Sequence, residues 1–399
     1  MCKQLIGSIL LISGTSIGAG MLALPVISAE EGFLTAVFLL FGCWAVMTLG
    51  AFLILEANLW FPANSNMISM AKATLGRIGQ TIAWITYLFL LYSLLCAYIS
   101  SISDILHAFL FKLNLNTKQW VDALIIVFIF GGIVWCGMRA VDMANRLFVS
   151  IKFIAYALLV LAIMPHVSLD KLISGNSRVY VTTITVMITS FGFSTIIPSI
   201  RVYLKGDVRK LRLAVLIGSL IPLVLYIIWL AVVHGTVPRE GAYGLIQVAA
   251  SDQVTTGLTA AVIHQLNSLS FATFVHAFID VCVATSFLGV SLCLTVFLAD
   301  GLQLRKKGAG GLIVYCCTFL PPIVIVLFAP GMFIKALSYA GLFCIILLIM
   351  IPLLIVWSGR YHKKLNVQGK YQVWGGKILL LLGMMISVVL LIWNIVSYF

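Results

Sequence analysis

Gly14-Thr15-Ser16-Ile17-Gly18-Ala19-Gly20, with Pro25 beyond it, interrupts an apolar run over residues 5–28, and Thr189-Ser190-Phe191-Gly192-Phe193-Ser194, with Pro198 beyond it, interrupts another over 180–201. Glycine takes away side-chain packing and proline takes away an N–H, so each stretch breaks the hydrogen-bond ladder of a helix. Hydrocarbon tolerates the amides and carbonyls left over only where the backbone lines a cavity inside the protein. Two such breaks at corresponding places in two halves of one chain point to the binding site of a transporter.

The remaining composition extends the membrane reading to the whole chain. Of 399 residues 62% are hydrophobic and 9% charged, with a mean hydropathy of +1.14, whereas roughly a quarter of the residues in a soluble domain are charged. About 20 apolar residues carry a helix across the hydrocarbon core. Stretches of that kind fall at 5–28, 33–59, 79–109, 121–138, 147–165, 180–201, 211–233, 270–300, 311–328, 331–357 and 376–398. The expectation is an all-α polytopic membrane protein with eleven crossings. Crossings one to five and six to ten form equal groups, each opening with a broken helix. Because five is odd, the groups run in opposite senses, as an inverted-topology repeat requires. The expected organisation is a first repeat over 1–166, a second over 167–358, and a cytoplasmic loop with the eleventh crossing over 359–399.

A net charge of +13 raises the question of nucleic acid, and the distribution of the basic residues answers it. With a cytoplasmic N-terminus, only Lys112, Lys118, Lys171, Arg178, Arg239 and Lys335 of the 25 basic residues fall outside, so the surplus is a positive-inside topology signal. This orientation puts the C-terminus in the periplasm. No basic stretch sits in a separate folded domain, which argues against nucleic acid as a partner. The loop from Arg201 to Arg212 carries the densest positive charge and reads as a retention anchor. The opening apolar run is long and broken by glycine, so it reads as a retained helix rather than a cleaved signal. The nine cysteines fall mostly within apolar spans and show neither zinc spacing nor a disulfide framework. No metal or cofactor is expected. The longest connection, 234–269, is expected outside, with Leu258 to Leu269 either a short helix along the membrane surface or a solvated loop.

The residues Gly14 to Pro25 resemble the opening helix of the bacterial aromatic amino acid permeases. Thr189-Ser190-Phe191-Gly192-Phe193 with Pro198-Ser199-Ile200, Asn145-Arg146 leading to Lys152, and Ala284-Thr285-Ser286-Phe287-Leu288-Gly289-Val290 are similar to the same family's tyrosine and tryptophan members. The likeness covers essentially the full length. It implies a LeuT-like 5+5 inverted repeat with discontinuous helices one and six and an eleventh helix, in the bacterial inner membrane. It also implies import of an aromatic amino acid, tyrosine ahead of tryptophan, with protons.

A zwitterionic amino acid needs a partner for each charge, and unpaired charge is expensive at the membrane midplane. Amides around Ser16, Gly18, Ala19 and Gly20, at the positive start of the outer half of the first helix, are candidates for the carboxylate. Carbonyls of an unwound strand around Ser190, Phe191, Gly192 and Phe193 are candidates for the ammonium, with Phe191 and Phe193 as the wall for an aromatic ring. On the third crossing, Tyr87, Tyr92, Ser93, Tyr98 and Ser101 are polar, and Tyr92 and Ser93 lie near its midpoint, where they could bond a phenol. Coupling has three candidates. Lys152 lies about 9 Å inside Arg146; by resemblance to the wider superfamily it replaces sodium or exchanges a proton near Thr285-Ser286, while on its own depth it could instead snorkel to the cytoplasmic face. His276 and Asp280 are four apart on one helix face and form a possible proton relay or a structural pair. Glu56 is a costly carboxylate in the second crossing that either couples or marks the interface.

A sodium-coupled symporter or an exchanger on the same fold is the alternative, kept open by the hydroxyls of Thr285 and Ser286. A membrane enzyme lacks support because no metal spacing or Gly-x-Ser-x-Gly elbow is present. A channel would need a continuous polar pore, which so few charges do not supply.

Overall fold

The computed structural model describes residues 2–18, 20–63, 65–176, 178–266, 269–304, 308–365 and 371–396. Those residues form helices and connections, with no strand among them. In chain order the helices are α1 (Cys2–Ser16), α2 (Gly20–Ile27), α3 (Phe33–Trp60), α4 (Met67–Lys112), α5 (Gln119–Trp135), α6 (Met138–Ile163), α7 (Leu169–Ile173), α8 (Val181–Ser190), α9 (Ile197–Tyr203), α10 (Val208–Thr236), α11 (Leu245–Ala250), α12 (Val254–Leu266), α13 (Leu269–Gly301), α14 (Gly308–Phe328), α15 (Phe333–Cys344), α16 (Ile351–Trp357) and α17 (Gly376–Val396). Eight helical stretches among the described residues are long and apolar enough to cross a membrane. The pair α1 and α2, bent by 48°, makes a ninth, and shorter apolar helices occupy 119–135 and 151–166. The chain is therefore a multi-pass membrane protein, and each predicted crossing coincides with one of these helices.

The two breaks differ in kind. α1 stops at Ser16 and α2 restarts at Gly20, leaving Ile17 and Gly18 outside regular structure. The second break is not the unwound strand expected from sequence. It is a 3-10 turn over Gly192–Ile196 between α8 and α9, so the chain tightens there instead of opening. Pro198, in the first turn of α9, has no N–H to offer upstream, and the ladder resumes with the Ile197 amide on Ser194 O.

Outside the breaks, prolines shape the packing. A proline within a helix frees the carbonyl four residues earlier. Trp229 Nε1 donates to Met21 O, freed by Pro25; Ser13 Oγ donates to Gly218 O at 3.0 Å, freed by Pro222; Tyr92 Oη donates to Cys317 O at 2.6 Å, freed by Pro321. Each repair comes from a neighbouring helix, so a defect within one helix becomes a bond between two. Hydrocarbon supplies no hydrophobic drive between helices, so such bonds and close contacts hold the bundle. α6 lies along α13, α15 along α4 and α8, and α1 along α10. At Gly341 a Cβ would sit 2.1 Å from Thr185 O, so only glycine lets α15 approach α8.

α10 carries a row of four bonds to the first broken helix. Gly218, Tyr226, Trp229 and His234 meet Ser13, Ser16, Met21 and Pro25 in that order, so the two run parallel. In the connection after α10, α12 buries Val254, Leu258, Ala261, Val262 and Leu266 against α13, α4 and α2. Of the two expectations for this segment, the described part forms the short helix and not the solvated loop, with an apolar stripe turned to the bundle.

Candidate functional site

The carbonyls at the first break can be accounted for one by one. Ile17 N still reaches Ser13 O at 3.0 Å, and Met21 N reaches Gly18 O at 3.1 Å. Ser16 O and Ile17 O lose their partners in the ladder. The Tyr226 hydroxyl donates to Ser16 O at 2.6 Å, and the Lys152 ammonium donates to Ile17 O at 2.8 Å. Both side chains are buried, Lys152 being 1% exposed. That burial excludes the snorkelling reading. The lysine nitrogen is thus held inside the bundle by a peptide carbonyl, where water does not compete for the bond.

Around this break the second half of the chain closes in. An added Cβ at Gly18 would lie 2.5 Å from Ser286 Oγ and 3.8 Å from Tyr98 Oη. One at Gly20 would lie 2.5 Å from Ser190 Oγ and 2.8 Å from Tyr226 Oη. Gly20 is thus required by close approach to the second half of the chain, and at Gly18 a Cβ would displace the Ser286 hydroxyl from its bond to Cys282 O. Tyr226 Oη also lies 3.3 Å from Ser190 O, so one hydroxyl stands between the two breaks. Phe191 packs edge-on against Tyr226 with ring centroids 5.6 Å apart, and Phe191 and Phe193 are fully buried. A Cβ at Gly192 would have open space as far as Cys344 Sγ at 3.9 Å. Thr285 and Ser286 both donate to Cys282 O, at 3.0 and 2.9 Å.

The structure brings Gly18, Gly20, Ser190, Phe191, Lys152 and Ser286 together about the two breaks. Ser16 is present through its carbonyl, with its hydroxyl donating to Ile12 O at 3.2 Å, rather than through the amide expected from sequence. Ala19 and the side chains of Asn145 and Arg146 lie outside the described residues.

Tyr92 and Ser93 are elsewhere. Tyr92 is committed to Cys317 O on α14. It is Tyr98 that approaches Gly18, and at about 100° per residue Ser93 points roughly 140° away from it around α4. Glu56 is fully buried and takes a bidentate pair from Arg360, Nε to Oε1 at 2.7 Å and Nη2 to Oε2 at 2.6 Å, with Val373 N adding a bond to Oε2 at 2.7 Å. The coupling assignment for Glu56 therefore gives way to a tie between α3, the end of the span that includes α16, and the segment leading into α17. No hydrogen bond joins His276 to Asp280 among the described residues, and Asp280 Oδ1 is buried without one. Glu31, after α2, accepts from Thr183 Oγ1 at 2.6 Å and from Tyr180 N at 3.3 Å. Burial raises the pKa of that carboxyl above its usual value. Tyr226 is the residue sequence reasoning passed over; its only signal was a tyrosine inside an apolar span four residues after Pro222.

The bundle crosses the membrane and bonds a lysine and a tyrosine to the freed carbonyls of a broken helix, and the class of protein to which it belongs is the permeases. Residues 1–394 match the Tryptophan/tyrosine permease family, and the chain belongs to that family. It is 33% identical over 391 residues to the Tyrosine-specific transport system 1 of Haemophilus influenzae, covering 97% of this chain and 96% of that one. It is 31% identical over 380 residues to the Tryptophan-specific transport protein of Shigella flexneri, covering 94% and 90%. It is 28% identical over 399 residues to the Glutamine transporter 2 of Aliivibrio fischeri, covering 98% of both chains.

Proposed function

We propose that the protein imports an aromatic amino acid, tyrosine ahead of tryptophan, by proton symport with alternating access across the bacterial inner membrane. The observation that carries this reading is the buried Lys152 side chain on Ile17 O, at a break where Ser190 and Tyr226 crowd Gly20 and the Ser286 hydroxyl crowds Gly18. Amides at the start of α2 receive the carboxylate. Phe191 and Phe193 wall the ring. Lys152 supplies the positive charge at the break and can lose or regain a proton as the site changes sides, which is how binding and the proton gradient become linked. Tyrosine takes precedence because the tyrosine-specific relative matches at 33% against 31% for the tryptophan-specific one.

The LeuT-like inverted repeat is supported by pairings that recur five crossings apart. The fifth crossing (α6) packs on the eighth (α13) as the tenth (α15) packs on the third (α4), and the first (α1) packs on the seventh (α10) as the sixth (α8) packs on the second (α3). The parallel run of α10 along the first broken helix fits crossings one and seven pointing the same way, with a cytoplasmic N-terminus and a periplasmic C-terminus. The repeats are 1–166 and 167–358.

The test is uptake of labelled tyrosine, tryptophan and phenylalanine into proteoliposomes with proton and sodium gradients imposed separately. Concentrative uptake of tyrosine under the proton gradient alone is expected. Accumulation under sodium alone would overturn the coupling, and no uptake of any of the three would overturn the substrate class.

A further inference from the structure

We propose that Tyr226 is part of the seat for the substrate's ammonium and selects a primary amine, an inference that rests on the amino acid transport reading above. The tyrosine has one hydroxyl proton, directed at Ser16 O at 2.6 Å, yet Ser190 O also faces the hydroxyl at 3.3 Å. One proton cannot serve two carbonyls fully. Ser190 O therefore retains acceptor capacity, and so does the phenolic oxygen, which has two lone pairs. A carbonyl from each break and a hydroxyl oxygen thus converge on one buried place, with Tyr226 and Phe191 fully buried.

Three acceptors match the three N–H donors of a primary ammonium. A cation inserted here gives Ser16 O, Ser190 O and Tyr226 Oη one donor each, while the tyrosine keeps its own proton on Ser16 O, whose second lone pair takes the cation, and now accepts as well as donates. Gly20 borders the same arrangement, since a Cβ there would lie 2.8 Å from the hydroxyl and displace it. The ring of Tyr226 is fixed from the side by Phe191, which keeps the oxygen at the meeting point of the two breaks.

The test is a cycle between protein and ligand in proteoliposomes, with L-tyrosine, N-methyl-L-tyrosine and N,N-dimethyl-L-tyrosine as competitors of labelled substrate, for the wild type and for Tyr226→Phe. In the wild type each methyl group removes one donor and weakens competition by about tenfold. Tyr226→Phe weakens L-tyrosine by about tenfold and reduces the penalty of the first methyl group to about twofold, because a two-acceptor seat no longer needs the third proton. A loss of general packing would weaken all three ligands equally and keep their ratios; unchanged ratios overturn the proposal. Equal competition by the three ligands in the wild type overturns it without recourse to any variant. Wild-type protein that transports no aromatic amino acid would instead overturn the underlying functional reading.

Discussion

Replacing Lys152 by methionine removes the ammonium while keeping most of the volume of a side chain that is 1% exposed. The driving force at stake can be worked out. A proton moving inward across one pH unit supplies about 1.4 kcal/mol, or tenfold accumulation. A potential of 100 mV, negative inside, supplies about 2.3 kcal/mol more on the single charge that enters with a zwitterion and a proton. Together they set a ceiling of roughly 500-fold for one proton per substrate. In Lys152→Met the ceiling falls to about one, because no group at the Ile17 carbonyl carries the charge, while exchange of labelled for unlabelled substrate continues. The unpaired carbonyl costs about 1–3 kcal/mol of stability, so exchange under matched protein amounts is the reference. The assay is accumulation at fixed pH gradient and potential beside counterflow. Accumulation at the wild-type level would refute the reasoning.

Four further outcomes follow from the contacts. Gly18→Ala should weaken substrate binding, since its Cβ would stand 2.5 Å from Ser286 Oγ and push that hydroxyl off Cys282 O, and Ser286→Gly in the same chain should restore part of it; binding assays on the single and double variants check both. Tyr92→Phe should lower thermal stability by about 1–2 kcal/mol through the lost bond to Cys317 O, with the order of preference among aromatic substrates unmoved. Arg360→Met should destabilise by about 3–5 kcal/mol by leaving the buried Glu56 without its counter-charge, and adding Glu56→Met should recover most of it, as read by melting temperature in detergent. Glu31 has a raised pKa in the folded protein, so its contribution to stability is full below its unfolded value near 4.5 and is lost as pH rises through the folded value. Glu31→Gln should therefore flatten the fall of melting temperature above that pH.

The positions of the crossings and of both breaks were legible because they depend on residue types whose local chemistry is unambiguous: long apolar runs, glycine and proline. Lys152 was legible for the same reason, since a cation deep in an apolar span demands a partner. Identity of partners was not. Ile17 O and Cys317 O became acceptors because of which helices meet, and the sequence distance from Lys152 and Tyr92 carries no trace of it. The midpoint argument chose Ser93 over Tyr98 because depth along a helix can be counted, whereas its rotation about its own axis is fixed only by neighbours. Glu56 signalled a buried partner, but Arg360 looked like one more cytoplasmic charge at the end of a span. At the second break, glycine and proline announced an interruption without saying whether the chain would loosen or tighten, and the 3-10 turn over Gly192–Ile196 took the second course.

The row of bonds between α10 and the first broken helix acts as a splint. From Gly218 to Trp229 to His234 it extends about 24 Å along α10, crossing the break with fastenings on either side. The splint ties both arms of the first break to one continuous helix. The two interruptions, alike in sequence, thus differ in support: one is bridged from end to end by a neighbouring helix, and the other is a short 3-10 turn between α8 and α9.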